Sequence, residues 1–243
     1  FIYRIIRFNG LFAVSEYTKR DLLGLGVKPE KIIVTYNGTD LCRFDISKKE
    51  KFNKEIRDEF SIPYNAKIIG IVGKQDGNKG HNLLVKSFKA LYHNYPNLYI
   101  LLVGEGKTLE SNIKLAKDLG VLDRSIFAGL RFDVEKFHAA FDIFTLLSKK
   151  DFEMFPCVIL EAMAYKKPFV ATNTTGVPET ASNGEGFICE CGDINCFIEK
   201  YKRLLDNDKL SSSMGEIGRS SVENIFNIQE VVNKIENTYF KYQ

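Results

Sequence analysis

Five short apolar runs constrain this chain more than any other feature, because each is too unbroken to leave a face in water. They are Lys67–Val72, Leu98–Val103, Ser125–Ala128, Asp142–Leu146 and Pro168–Ala171. The segments between them carry helical periodicity: Leu84, Phe88, Leu91 and Tyr95 form one stripe, and Leu109, Ile113, Ala116 and Leu119 form another. Strands buried on both sides belong to a parallel sheet, whose crossover helices cover both faces. The pattern predicts an α/β fold built on such a sheet. Ligands of these sheets sit at the carboxyl ends of the strands, so the loops after Val72, Val103, Ala128, Leu146 and Thr172 are where chemistry is expected.

Two flanking regions differ from this rhythm. Leu11–Val14 and Lys31–Tyr36 read as short strands on either side of a helix from Glu16 to Leu25, which Ser15 caps and Gly26 stops. Residues 46–60 are heavily charged, with Phe52, Ile56 and Phe60 four apart, as in an amphipathic helix on a linker. From Asn195 onward the chain reads as helical and mostly polar.

Charge and cysteines exclude several classes. The 34 basic and 31 acidic residues nearly cancel, which argues against a nucleic-acid binder but leaves room for a local basic pocket. No run approaches the roughly 18 apolar residues of a membrane span. Phe1 to Arg7 is too short and too basic for a signal peptide, and a start without Met in mid-pattern suggests part of a longer protein. Cys189, Cys191 and Cys196 cluster without the spacing of a zinc site and with no His nearby. Free thiols and a cytoplasmic setting are therefore expected.

Three loops carry candidate chemistry. Glu153 and Glu161 flank Met154 to Leu160, with Pro156 suited to a first helical turn. A helix starting near Phe155 offers unpaired amides and a positive dipole end to an anion, and places Glu161 about two turns inside. Apolar neighbours bury Glu161, so it needs a partner; a structural role and a functional one both fit. Gly73 to Gly80, with Lys74 and Lys79, follows a strand and suits a phosphate, although an ordinary βα loop has the same composition. It matches neither a Walker loop nor G-x-G-x-x-G. Thr174 to Glu179 is a breaker-rich turn that is either a plain loop or another wall of the same crevice. His81, His93 and His138 share no metal-like spacing, which favours structural or surface roles.

Together these segments resemble the retaining glycosyltransferases of group 1, or family 4, with the GT-B fold. Ala13 to Lys19 with Tyr36 to Asp40, Gly73–Gly80, Val103 to Gly106, Glu153–Glu161 and Gly176 to Glu179 occur in that family's order. The resemblance implies a Rossmann-like parallel sheet with helices on both faces, the C-terminal half of a GT-B enzyme. It divides the chain into a remnant of the N-terminal domain (1–45), a linker helix (46–65), the nucleotide-sugar domain (66–225) and a final helix that crosses back (226–243). It implies that Lys74 and Lys79 neutralise the donor diphosphate and that amides near Phe155, Cys157 and Val158 bind its oxygens. Glu161 would hold the ribose, and Glu153 the donor sugar beside its anomeric carbon. Gly73 and Gly104 would line the site, and the base would lie along backbone at Gly129, Leu130 and Arg131. Catalysis would then rest on Glu153, Lys74 and Lys79.

The resemblance also implies partners. They are a UDP-, GDP- or ADP-linked sugar, no metal or other cofactor, and a glycan or lipid-linked acceptor held by the rest of the N-terminal domain. The full-length protein would work in polysaccharide assembly, in the cytoplasm or at the inner membrane face, while this part alone would transfer little. Three positions depart from the family pattern. Lys74 stands for arginine, Phe155-Pro156 for Phe-Gly, and Lys167 for a glycine before Pro168, the last expected to be a surface change. A non-catalytic nucleotide-binding module is the alternative. A nicotinamide-dependent dehydrogenase is disfavoured because its glycine fingerprint is missing.

Overall fold

The computed structural model describes residues 9–240, so the expectation for Phe1 to Arg7 and the last three residues of the final segment lie outside it. The five predicted runs form strands β3 (Lys67–Val72), β4 (Leu98–Val103), β5 (Ser125–Gly129), β6 (Ile143–Leu146) and β7 (Phe169–Thr172). They pair in parallel, in the order β5-β4-β3-β6-β7, and a sixth strand, β8 (Gly186–Cys189), adds to β7. The sequence reading missed β8. It is an edge strand beginning at a glycine and only partly buried, so it lacks the unbroken apolar run of its neighbours.

Alternation along each strand builds two cores. Ile68, Leu101, Phe144 and Ala171 face one side; Ile69, Ile71, Ile100, Leu102, Ile143 and Val170 face the other. The first side is covered by helices α2 (Lys49–Glu59), α5 (Val134–Ala140) and α6 (Cys157–Ala164). Helices α3 (His81–Leu91), α4 (Leu109–Asp118) and α7 (Ile194–Leu205) cover the second. Ile56, the centre of the predicted Phe52–Ile56–Phe60 stripe, is fully buried against the sheet.

The first segment forms β1 (Leu11–Ala13), α1 (Glu16–Gly24) and β2 (Ile32–Val34), with β1 parallel to β2. After α8 (Asp208–Asn224), helix α9 (Ile228–Phe240) returns to it. The Thr39 amide donates to the Phe226 carbonyl at 2.8 Å, and the Lys234 ammonium donates to the Val34 carbonyl at 2.8 Å. Tyr36 stacks on Phe155 at 4.9 Å between centroids and meets Phe226 edge-on.

Glu179 also joins the two parts, by accepting from the Glu16 and Tyr17 amides at the start of α1 at 2.8 and 2.9 Å. These are orphan donors of a helix N-terminus, where a carboxylate is favoured. Glu179→Ala is expected to cost about 1–2 kcal/mol locally. Amide hydrogen exchange at Glu16 and Tyr17 should speed up while β3 and β4 stay protected; unchanged exchange would show that Ser15 caps α1 unaided.

Two expectations are corrected. Cys189 and Cys196 form a disulfide joining β8 to α7, so two of the five cysteines are not free thiols; Cys42, Cys157 and Cys191 are. The seven-residue separation brings them together because α7 doubles back against the strand it follows. Lys167 is not a surface residue: it is 7% exposed. The residue in the glycine-like conformation is its neighbour Lys166, with φ +57°. No helix among the described residues is long and apolar enough to cross a membrane.

Candidate functional site

Strand β3 is the topological switch point: the chain proceeds from it to β4 and β5 on one side, then returns to β6 on the other. Loops leaving β3 and β6 diverge there and open a crevice at the carboxyl edge. Two glycines set how closely these loops meet. A Cβ at Gly104 would lie 2.0 Å from the Gly73 carbonyl oxygen, and one at Gly80 would lie 2.2 Å from that of Leu147. Both have φ in the left-handed region, +125° and +80°, so no other residue serves well.

The loop from Gly73 to Gly80 is locked from behind by Gln75, a fully buried side chain. Its Nε2 donates to the Gly104 carbonyl at 2.9 Å, its Oε1 accepts from Asn112 at 2.9 Å, and its own carbonyl accepts from the Thr108 hydroxyl at 2.7 Å. His81, the first residue of α3, is buried beside the loop; burial pushes its imidazole down to about 4 and keeps it neutral.

Gly73, Lys74, Gly104 and Leu130 line one cavity of about 460 Å³, together with Arg131. The Arg131 guanidinium is already held by Asp133 at 2.9 Å and by Glu59, so it offers backbone rather than free charge to a ligand. A second cavity, of about 430 Å³, lies along the same edge between Gly80, Ser148 and Cys191.

The aliphatic stem of Lys79 lies along Gly73, and its ammonium contacts the Glu153 carboxylate. Glu153 is 6% exposed, and its Oε1 also accepts from the Ser148 hydroxyl at 2.6 Å. One ion pair therefore joins the loop after β3, the loop after β6 and the approach to α6. Lys74 has no ion pair among the described residues.

Helix α6 begins at Cys157, later than the sequence reading has it, with Pro156 as N-cap in extended conformation. The Cys157 and Val158 amides lead the first turn of α6, with no side-chain cap from Pro156, and Glu161 stands in the second turn. Phe155 is instead buried at the junction with the first segment, where its carbonyl accepts from Asn37 at 2.8 Å. The Cys157 thiol is pushed up by burial and by the Glu161 carboxylate, which leaves it neutral. Phe155, Cys157, Val158 and Glu161 line neither of the two cavities; they form the N-terminal half of α6 beside the crevice.

The partner that Glu161 needs is His138, whose Nε2 lies 3.1 Å from Oε2. An ionised carboxylate only accepts, so the imidazole donates. Sequence reasoning missed His138, Gln75 and Ser148. The available signals were a lone polar residue in the apolar end of α5, and polar residues directly after apolar strands. No group of three or more His, Cys, Asp or Glu among the described residues is arranged to hold a metal ion.

Residues 52–221 match the family model of glycosyl transferases group 1. The chain is 31% identical over 219 residues to the N-acetyl-alpha-D-glucosaminyl L-malate synthase of Bacillus anthracis, covering 88% of this chain and 55% of that protein. It is 30% identical over 240 residues to the capsular polysaccharide biosynthesis glycosyltransferase CapM of Staphylococcus aureus, covering 94% of this chain and 60% of that one. The chain thus spans little more than half the length of these curated relatives. Anabaena Alr3699/HepE, solved in complex with UDP-glucose, shares the fold with a TM-score of 0.84 at 21% identity, over 96% of this chain and 64% of that one.

Proposed function

The chain belongs to the glycosyl transferases group 1 family, and from that premise we propose that it is the donor-binding part of a retaining glycosyltransferase acting on a nucleoside-diphosphate sugar. The observation that carries this reading is the Lys79–Glu153 pair at the switch point. It sets a cation and a carboxylate side by side where a diphosphate would meet its sugar. Lys74, Lys79 and the first amides of α6 supply positive charge to the leaving diphosphate. Glu153 orients the sugar at its anomeric carbon. Glu161, steadied by His138, accepts from the ribose hydroxyls, and the base lies in the cavity lined by Leu130 and Gly104. The relative solved with UDP-glucose supports a nucleotide sugar as the ligand class.

The transferred sugar keeps its anomeric configuration through an oxocarbenium-like transition state. Charge then develops chiefly on the diphosphate, which fixed donors stabilise without reorganisation. The acceptor is bound by the part of the protein that the curated relatives have and this chain does not span. Transfer therefore needs that part.

Calorimetric titration with UDP and with GDP tests the reading. One of the two is expected to bind, and Glu161→Ala should weaken it by more than about tenfold, roughly the loss of one charge-assisted hydrogen bond. Wild-type affinity in that variant would remove Glu161 from the site.

A further inference from the structure

The opposite edge of the sheet holds a third cavity, of about 240 Å³, lined by lysines that include Lys49 and Lys167, by Ser211 and Ser212, and equally by Asp142, Asp208 and Glu216. The turn from α6 to β7 drives Lys167 inward while Lys166 takes the left-handed conformation and reaches Glu216 at 2.8 Å. Each of these carboxylates is engaged. Asp142 accepts from the Ile68 amide at 2.8 Å and faces Arg57 and Lys67, Asp208 pairs with Lys67 at 3.1 Å, and Glu216 pairs with Lys166.

The Lys49 and Lys167 ammonium groups have no ion pair and no hydrogen bond among the described residues, and Asp142 and Glu50 act on Lys167 only at longer range. The hydroxyls of Ser211 and Ser212, near the start of α8, are also without partners there. Lys167 is 7% exposed and its ammonium opens on the cavity, where no protein group accepts from it; a charge held so far from bulk water is costly without an acceptor. Its burial, reinforced by the charge of Lys49, pushes the Lys167 amine down to about 7. The cavity therefore presents donors with nothing to receive them. Its complement is a compact, multiply charged ligand made only of acceptors.

We propose that this cavity is a second anion site, taking a phosphate-sized tetrahedral oxyanion between Lys49 and Lys167 with the Ser211 and Ser212 hydroxyls completing the shell. It lies at the amino ends of β3 and β7, away from the donor crevice, and depends on none of the residues assigned there. Bound phosphate lets Lys167 keep its charge inside the protein. Free inorganic phosphate and a phosphomonoester share this chemistry.

The test is NMR of the chain carrying 13C-labelled lysine, titrated with inorganic phosphate and, separately, with glycerol phosphate. The Lys49 and Lys167 side-chain resonances are expected to move together on one saturable curve, while the exposed Lys86 and Lys114 stay still. Lys167→Met should weaken the response at Lys49 by about tenfold or more, and Lys49→Met should do the same at Lys167. Lys74→Ala should leave both curves unchanged. Tighter binding of glycerol phosphate would support the site with an ester as occupant, and tighter inorganic phosphate would support it with the free ion. A non-saturating drift shared with surface lysines would mean an adventitious ion only, and would overturn the proposal. So would an unaltered Lys49 response in Lys167→Met.

Discussion

Lys79→Met should lower the unfolding free energy by about 3 kcal/mol and weaken nucleotide binding by about tenfold or more, and the two losses should be separable. The first arises because Glu153 is 6% exposed and has one other donor, Ser148. Removing the ammonium strands a charge away from water, which costs more than the pair contributes when intact. Glu153→Gln in the same protein removes the stranded charge and keeps an acceptor for the Ser148 hydroxyl. The double variant should therefore recover most of the stability. It should not recover affinity for UDP or GDP, because the cation that faces the diphosphate is still missing. Denaturant melts and calorimetry on wild type, both single variants and the double variant complete the cycle. If the double variant regained nucleotide affinity as well as stability, Lys79 would be a structural residue and the donor site would have to be rebuilt around Lys74.

The parts of this architecture that were legible in the sequence are those in which one residue type satisfies local and global demands together. Ile68, Ile69, Ile71 and Val72 are apolar whichever face they meet, so β3 stands out as an unbroken run. The loop from Gly73 to Gly80 is legible as the connection between a strand and a helix, because glycines end the apolar run at Val72 and helical periodicity resumes soon after His81. What escaped was set by distant partners. Glu161 announces a buried carboxylate, but its partner His138 lies 23 positions earlier in the chain and only α5 packing against α6 brings them together. Gln75 looks like one polar loop residue among several until Asn112 and Gly104 close around it. Cys189 and Cys196 carry no pairing signal until β8 is placed, and β8 is the strand whose edge position hides it. Lys167 was misjudged for a related reason. Polar sequence around a turn suggests solvent, yet the turn's backbone decides which of two adjacent lysines points inward.

That inward lysine makes a stabilising substitution expected where alteration of a buried residue usually harms. The folded amine sits at about 7 against an ordinary 10.5. Between those values the unfolded chain binds the extra proton and the folded chain does not, so stability is lost as pH falls from about 10 toward 7. Below about 7 both states are protonated and the penalty stays constant. At pH 7 it amounts to about 4 kcal/mol. The charged groups that set it are Lys49 and Arg57, which add to it, and Asp142 and Glu50, which oppose it; Lys67, Lys166, Asp208 and Glu216 complete the cavity wall. Lys167→Met keeps a flexible chain of similar length and removes the charge, so it should raise the unfolding free energy by about that amount at pH 7. The gap between variant and wild type should narrow to about 1 kcal/mol as pH approaches 10, because the folded amine is neutral there and the unfolded one is beginning to lose its proton. Paired denaturant melts at pH 7, 8.5 and 10 measure it. A gap of the same size at all three would trace the gain to packing instead of charge, and a destabilised variant at pH 7 would mean that the Lys167 ammonium has a favourable partner.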